Sequence, residues 1–323
     1  MKFTEKQLHA FASPLSASEE ERCKNAIRMV RDAMKLVGYN DNGKEIYNYE
    51  GEVPAYALEL NASNTGRKIF LLVQGSYANN TNVRTHSDVD VAVILESTFI
   101  PVYRENVTGE NYRFSDATFT VKQLKDEVEL ALKTKYNFEG VERNDKSIKV
   151  YGNSYRVDSD VVPAYRYRDY RMDYNFNENN YIGGIEIRPD SGGRVINFPE
   201  QHIRNGKKKN IETGYRYKKH VRILKKMRFL MKESGYAIPN CISSFGLESL
   251  LWNVPNNIYD KYTLLRYTFD ELITYLKNNS QSIGAYKEVN AVKPLFTSTS
   301  QIEDYRSFIQ MVDEFYQYDI TES

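Results

Sequence analysis

Two aspartates, Asp88 and Asp90, give the clearest chemical signal in this sequence of 323 residues. They open an apolar segment, residues 88–95, whose composition is typical of a β-strand. Because successive side chains of a strand point to opposite faces, the two carboxylates should share one face and Val89 the other. Neighbouring carboxylates repel each other unless a cation compensates them, and Mg²⁺ is the usual hard cation beside phosphate groups.

A Gly–Ser turn precedes this acidic pair. The apolar run at residues 68–73 predicts a buried strand, and Gln74, Gly75 and Ser76 follow it. Glycine lets a ligand approach the backbone closely, and backbone N–H groups at such a turn can bind an anion. The turn and the acidic pair together indicate a site for a triphosphate and its metal ion.

A third carboxylate is expected, because a site with two metal ions needs a bridging set of ligands. Residues 156–164 supply it on another strand-like segment, which ends in an apolar run with Pro163. Asp158 and Asp160 lie on one face of this strand, so alternation alone does not separate them.

These motifs combine in a specific order. Ser87, Asp88 and Asp90 follow the Gly–Ser turn, and Asp-Val-Val-Pro-Ala follows at residues 160–164. In this the sequence resembles the polymerase-β-like nucleotidyltransferases, and more closely the cGAS/DncV-like nucleotidyltransferases (CD-NTases) of bacterial anti-phage signalling. The resemblance implies an α+β fold, with a mixed-sheet nucleotidyltransferase core, a C-terminal helical lobe and the site in the cleft between them.

The expected domains follow from this fold. We assign residues 1–200 to the core, including a long N-terminal helix indicated by Ile27, Val30 and Met34 at helical spacing, and residues 201–323 to the helical lobe.

The resemblance also implies the reaction. A ribose hydroxyl would attack the α-phosphorus of a ribonucleoside triphosphate, and pyrophosphate would leave. Asp88 and Asp90 would hold two Mg²⁺ ions, with Mn²⁺ as a substitute, and the match at residues 160–164 favours Asp160 over Asp158 as the third metal ligand. Two successive transfers would give a cyclic di- or trinucleotide, a diffusible second messenger for a downstream effector.

The second half of the chain adds candidate substrate-binding residues. Eleven Lys or Arg residues lie between positions 204 and 228, and a solvated helix face is the ordinary interpretation of most of them. Lys225, at the edge of an apolar stripe, is assigned by the resemblance to the triphosphate. Ser244 is likewise assigned to the terminal phosphate and Phe245 to stacking on a base. A helix N-cap followed by a core aromatic is the alternative, and the two interpretations are compatible.

Asn197 is the candidate for base recognition. It lies in a hairpin predicted over residues 183–201. In the resembled family, some members that use pyrimidines carry an asparagine near this point, which implies uridine triphosphate as a substrate. An amide can both donate to and accept from the uracil edge. Alternatively, Asn197 is a strand-end residue that bonds the turn before Pro199.

The overall composition indicates the cellular compartment of the protein and the classes of partner that it is expected to lack. The formal net charge is +1, so no global basic surface points to activation by nucleic acid. Cys23 and Cys241 form no motif and no Cys/His cluster has zinc spacing, which predicts a reduced, cytoplasmic protein without structural zinc. No run of about eighteen apolar residues is present, so no membrane partner is expected.

Three other functions are consistent with parts of the pattern. A linear-oligonucleotide or RNA-end nucleotidyltransferase would need a broader basic surface. Nucleotidyltransferases that modify small molecules or proteins are usually much shorter and lack the element at residues 243–245. An inactive nucleotide-binding module would be expected to have lost at least one carboxylate, and all three are present.

Overall fold

The computed structural model of the chain describes residues 2–52, 54–83, 88–116, 119 and 121–318. Ser87 of the predicted acidic motif lies outside these residues. The strands are, in chain order, β1 (Lys2–Phe3), β2 (Tyr47–Asn48), β3 (Tyr56–Ala62), β4 (Arg67–Gln74), β5 (Val89–Val102), β6 (Val141–Arg143), β7 (Ile148–Val150), β8 (Ser159–Asp169), β9 (Ile182–Ile187), β10 (Val195–Asn197) and β11 (Gln317–Tyr318). The helices are α1 (Glu5–Ala12), α2 (Ala17–Leu36), α3 (Gly75–Ala78), α4 (Val121–Tyr136), α5 (Pro199–Glu212), α6 (Tyr217–Glu233), α7 (Ser244–Trp252), α8 (Asn256–Tyr259), α9 (Leu265–Asn278) and α10 (Thr299–Phe315).

The chain divides into two compact units. The α/β unit consists of Ala17–Ala78 and Asp88–Glu200, and the helical unit of Met1–Ser16, Asn79–Ser87 and Gln201–Ser323. The boundary after residue 200 coincides with the expected one, but the first sixteen residues and the segment from Asn79 group with the helices. The reason is packing, since α1 lies against α6 and α9.

In its described residues, the α/β unit is built on one mixed sheet of nine strands. Its main order is β10-β9-β8-β5-β4-β3-β2, and β7 pairs with both β6 and β8. β5 and β8 run parallel, whereas their other pairings are antiparallel. β5 is buried on both faces from Val91 to Leu95, with α2 packed against it. The expected long N-terminal helix is α2, which buries Ile27, Val30 and Met34.

The helical unit has its own apolar core. It is formed by residues of α1, α6, α7, α9 and α10, among them Leu8, Leu224, Leu250, Phe269 and Phe308. The parallel pair β1–β11 joins the two ends of the described chain, with Lys2 in register with Gln317. In the described ranges, no helix is both long and apolar enough to cross a membrane.

The basic run differs from the expected solvated face. Of the eleven Lys and Arg side chains between positions 204 and 228, only Arg204, Lys208 and Lys219 are exposed. Several of the others donate to backbone carbonyls inside the helical unit: Lys209 to Val254, Arg222 to Ala12 and Asn80, and Arg228 to Ile242. The charges are therefore mostly structural, because buried carbonyl groups need donors.

Candidate active site

Strand register brings two of the predicted carboxylates together. Asp90 on β5 is the direct partner of Gln74 on β4 and, on its other side, of Asp160 on β8. The apolar residues that follow each aspartate are buried in the sheet, which fixes this register. Asp88 lies one residue before β5, where Val89 donates its N–H to the Asp158 carbonyl over 2.9 Å.

The Gly–Ser turn lies directly against Asp90. Gly75 has φ +70°, and a Cβ built there would lie 3.3 Å from Asp90 Cγ and closer still to Oδ2. Glycine is thus required twice, for its backbone conformation and for the space that the carboxylate occupies. Ser76 follows in the four-residue helix α3 and is half-buried.

The electrostatics of the Asp90–Asp160 pair favour a bound cation. Burial, and after it the neighbouring negative charges of Asp160 and Asp88, together raise the pKa of Asp90 to about 7. Carboxylate oxygens are the donors that Mg²⁺ prefers, so Asp90 and Asp160 fit a divalent metal ion. Across the described part of the chain, however, no three Asp, Glu, His or Cys side chains already form a metal-binding group.

Asp88 is instead held by a residue that the sequence gave no reason to select. Lys149 on β7 lies in register with Asp160. Its Nζ is 3.1 Å from Asp88 Oδ2 and 3.3 Å from Asp158 Oδ2. Hydrogen bonds to these carboxylates, that of Asp88 first, raise the pKa of Lys149. In the sequence Lys149 is one of many lysines, and only the pairing of β7 with β8 shows where it points.

The structure also separates Asp158 from Asp160. Asp158 Oδ1 accepts the Gly152 N–H over 2.6 Å, so this carboxylate closes a loop of its own chain. Asp160 Oδ1 accepts the Ser147 hydroxyl over 3.1 Å, and Asp160 is the register partner of Asp90 on the neighbouring strand. Asp160 is therefore the better placed partner of Asp90.

Asn197 is not brought to the carboxylates. It ends β10, pairs with Ile185 on β9, and is half-buried. Ile185 in turn pairs with Arg166, which lies six residues after Asp160 on β8. At about 3.3 Å per residue this is roughly 20 Å along the strand.

In the helical unit, Lys225 belongs to a buried polar cluster. Its Nζ donates to the carbonyl and the hydroxyl of Thr81, each over 3.0 Å, and lies 3.2 Å from Glu248 Oε2. The other carboxylate oxygen, Oε1, is 2.8 Å from His202 Nε2. Lys225 and Glu248 are 3% and 1% exposed, so each charge compensates the other within the unit.

The element at residues 243–245 begins α7. Ser243 is the N-cap, and its hydroxyl accepts the Gly246 N–H over 2.9 Å. The Ser244 hydroxyl accepts from Arg228 over 2.8 Å, which adds a basic residue to this group. The Phe245 ring remains 38% exposed and meets His202 edge to face.

A mixed sheet that aligns a Gly–Ser turn with carboxylates on adjacent strands, in a chain with a separate helical unit, defines a nucleotidyltransferase of the polymerase-β-like class. The family model described as "Nucleotidyltransferase domain" matches residues 58–152. That of the "cGAS/DncV-like nucleotidyltransferase C-terminal helical domain" matches residues 204–317. The chain belongs to the cGAS/DncV-like nucleotidyltransferases, as the resemblance implied, and it is a nucleotidyltransferase enzyme.

Individual relatives agree with this family. The chain is 42% identical to cyclic GMP-AMP synthase CdnE03 of Staphylococcus schleiferi, over 98% of each protein. It is 37% identical to the cyclic dipyrimidine nucleotide synthase CdnE of Legionella pneumophila, over 91% of this chain and 90% of that protein. The solved structure of the Rhodothermus marinus CdnE c-UMP-AMP synthase with Apcpp and Upnpp superposes with a TM-score of 0.76 at 28% identity, over 96% and 95% of the two chains. The predicted α+β fold with its C-terminal helical lobe is confirmed.

Proposed function

We propose that this chain is a Mg²⁺-dependent synthase that makes a cyclic di- or trinucleotide from ribonucleoside triphosphates. The observation that carries the proposal is the register of Gln74, Asp90 and Asp160 on three neighbouring strands, beside the turn at Gly75. Relatives named as cyclic nucleotide synthases that match nearly the whole chain support the cyclic product. We further propose that the product acts on a separate effector in anti-phage defence.

The residues of the α/β unit would have distinct roles in the transfer reaction. Asp88, Asp90 and Asp160 would hold the divalent cations, which when bound stabilise the attacking and leaving oxygens. Ser76, by its backbone N–H and hydroxyl, would bind phosphate oxygens at the turn. Asp160, fixed at Oδ1 by Ser147, would orient the ribose hydroxyl and accept its proton at Oδ2. The new bond joins that oxygen to the α-phosphorus, and the bond to pyrophosphate breaks.

The helical unit would supply further substrate contacts. Ser244 and Arg228 would bind the terminal phosphate, and Phe245, with its exposed ring, would stack on a base; such stacking contributes about 1–3 kcal/mol per base. Lys225 would act on the triphosphate from the cluster that it shares with Thr81.

One incubation tests the product. The protein is given labelled ribonucleoside triphosphates with Mg²⁺, and the products are then treated with phosphatase. A cyclic product has no terminal phosphate and survives, whereas a linear oligonucleotide is trimmed. Products that are all trimmed would contradict the proposal and favour the linear-oligonucleotide alternative. The Asp160→Asn variant is the control for the enzyme itself.

We also propose that uridine triphosphate is one substrate and that Asn197 contributes to its selection. The named relatives differ in their bases, which include pyrimidines in the Legionella pneumophila protein. Asn197→Ser should then lower uridine incorporation about 10–200-fold while adenosine incorporation is unchanged or rises. Pairwise incubations with the four ribonucleotides decide this. A purine-only product, or an unchanged preference in the variant, would leave Asn197 as a strand-end residue.

A further inference from the structure

One cation, Lys149, contacts both a proposed metal ligand, Asp88, and a nearby carboxylate, Asp158. Its Nζ lies 3.1 Å from Asp88 Oδ2 and 3.3 Å from Asp158 Oδ2. The lysine is half-buried, and its Nζ lies 5.6 Å from the centroid of the Tyr151 ring. Since all three groups belong to the α/β unit, this arrangement is a property of one compact body.

The two carboxylates are held to different degrees. Asp158 has a second anchor, the Gly152 N–H at 2.6 Å from its Oδ1. A Cβ at Gly152 would lie 2.8 Å from the Asp158 backbone nitrogen, so this loop is tightly closed. For Asp88, Lys149 is the cation that the described residues place within bonding distance, and Asp88 is the residue that directly precedes β5.

We propose that Lys149 is the internal counter-cation of the active site. It holds Asp88 while no divalent cation is bound, and it keeps Asp158 when Asp88 turns to the metal ion. The inference rests on the proposed function, because it assumes that Asp88 and Asp90 bind a divalent cation. It assigns Asp158 to Lys149 rather than to the metal, and it makes Lys149 a positioning residue and a competitor for Asp88.

Removal of this ammonium group has two effects of opposite direction. Without the cation, Asp88 and Asp158 are uncompensated in the metal-free protein, so its melting temperature should fall. At the same time a competitor for Asp88 and a like charge near the metal are lost, so a divalent cation should bind more tightly.

The test measures Mn²⁺ binding by electron paramagnetic resonance, without nucleotide, on the full chain. Lys149→Met should bind Mn²⁺ about tenfold more tightly than the parent, which equals about 1.4 kcal/mol. Lys146→Met, an exposed lysine on the same hairpin, removes the same charge and should change the affinity by less than about twofold. Equal affinities of the two lysine variants, or weaker binding by Lys149→Met, would overturn the proposal. If Lys149→Met does not fold, Lys149→Gln gives the same comparison.

A double-mutant cycle identifies the role of Asp158. Asp158→Asn alone should weaken Mn²⁺ binding, because Lys149 then has Asp88 as its remaining carboxylate. In the Lys149→Met background the same substitution should have little effect. Equal weakening in both backgrounds would show that Asp158 itself binds the metal. The Asp90→Asn variant separates failure of the metal site from failure of the Lys149 proposal. If Asp90→Asn binds Mn²⁺ as tightly as the parent, the proposed metal site is wrong. If Asp90→Asn loses Mn²⁺ binding but Lys149→Met has the affinity of the parent, only the role of Lys149 is rejected.

Discussion

At the scale of single residues, Asp90 is the most constrained group of the site. It is held between Gln74 and Asp160 by strand register, its carboxylate packs against Gly75, and its pKa is raised because burial and two like charges disfavour ionisation. Such surroundings disfavour the ionised form of a carboxylate, and in the proposed function a divalent cation would compensate its charge.

Asp90→Asn should therefore abolish nucleotide transfer without unfolding the protein. The amide keeps the shape of the side chain but removes a negative charge next to Asp160 and a hard metal ligand. We expect a melting temperature at or above that of the parent when no Mg²⁺ is present. Synthesis at a tenth of the parental rate or more would show that Asp90 is not an essential metal ligand.

Gly75→Ala should destabilise the protein by about 1–3 kcal/mol and reduce activity. The new methyl group combines an unfavourable φ with a clash against the Asp90 carboxylate. Gly193→Ala is a matched control, since Gly193 has φ +78° but no atom within 4 Å of a built Cβ. Urea denaturation of both variants isolates the clash as the difference in their free energies of unfolding; equal losses would show that the Asp90 contact costs nothing.

At the scale of elements, α5 and α6 direct buried and half-buried cations into the helical unit. Three of these cations, Lys209, Arg222 and Arg228, donate to backbone carbonyl oxygens. The fourth, Lys225, donates to the Glu248 carboxylate. Two of them hold the segment that follows α3, because Arg222 bonds Asn80 and Lys225 bonds Thr81. In sequence, residues 80 and 81 lie between the Gly–Ser turn and Asp88, and within the helical unit α6 fixes their backbone carbonyls.

Lys225→Met should cost about 3–5 kcal/mol of unfolding free energy, since it leaves the buried Glu248 carboxylate without its compensating charge. The double variant Lys225→Met/Glu248→Gln should recover part of this loss. Lys208→Ala, at an exposed position of the same basic run, should stay within about 0.5 kcal/mol of the parent.

Nucleotide binding is measured on the same proteins, and Lys225→Met should weaken it more than Lys208→Ala does. A small loss of stability in Lys225→Met, close to that of Lys208→Ala, would contradict the buried pair.

At the scale of the whole molecule, the chain passes between its two units four times. The first sixteen residues and the segment from Asn79 belong to the helical unit although they precede most of the α/β unit in sequence. Each unit therefore contains segments from distant parts of the chain, and neither corresponds to a continuous half.

A fragment of residues 1–200 should consequently fail to reach the stability of the full chain. It lacks α6 and α9, against which α1 packs, and the partners of Thr81. Limited proteolysis should cut this fragment in residues 2–16 and 79–83 under conditions that leave the same sites intact in the full protein. Protection equal to that of the full chain would show that these segments do not need the helices.

The sequence by itself determined the class of the protein and its fold. Local patterns suffice for this, because apolar runs predict β4, β5 and β8. Strand pairing then places Asp90 in register with Asp160 and with Gln74, the residue before Gly75. Helical spacing likewise located α2 and the helices of the second unit, because periodicity is a property of neighbouring residues.

Only the tertiary structure shows which side chains from distant parts of the sequence are in contact. Asp158, just before β8, and Asp160 on β8 have the same parity, and only the folded structure shows that Asp160 pairs with Asp90 whereas Asp158 contacts Lys149. In the same way, the basic run on α5 and α6 has the composition of a surface, yet burial turns its charges toward Glu248 and backbone carbonyls. Partners such as these are distant along the chain, and their choice depends on strand order and helix packing, which local sequence does not encode.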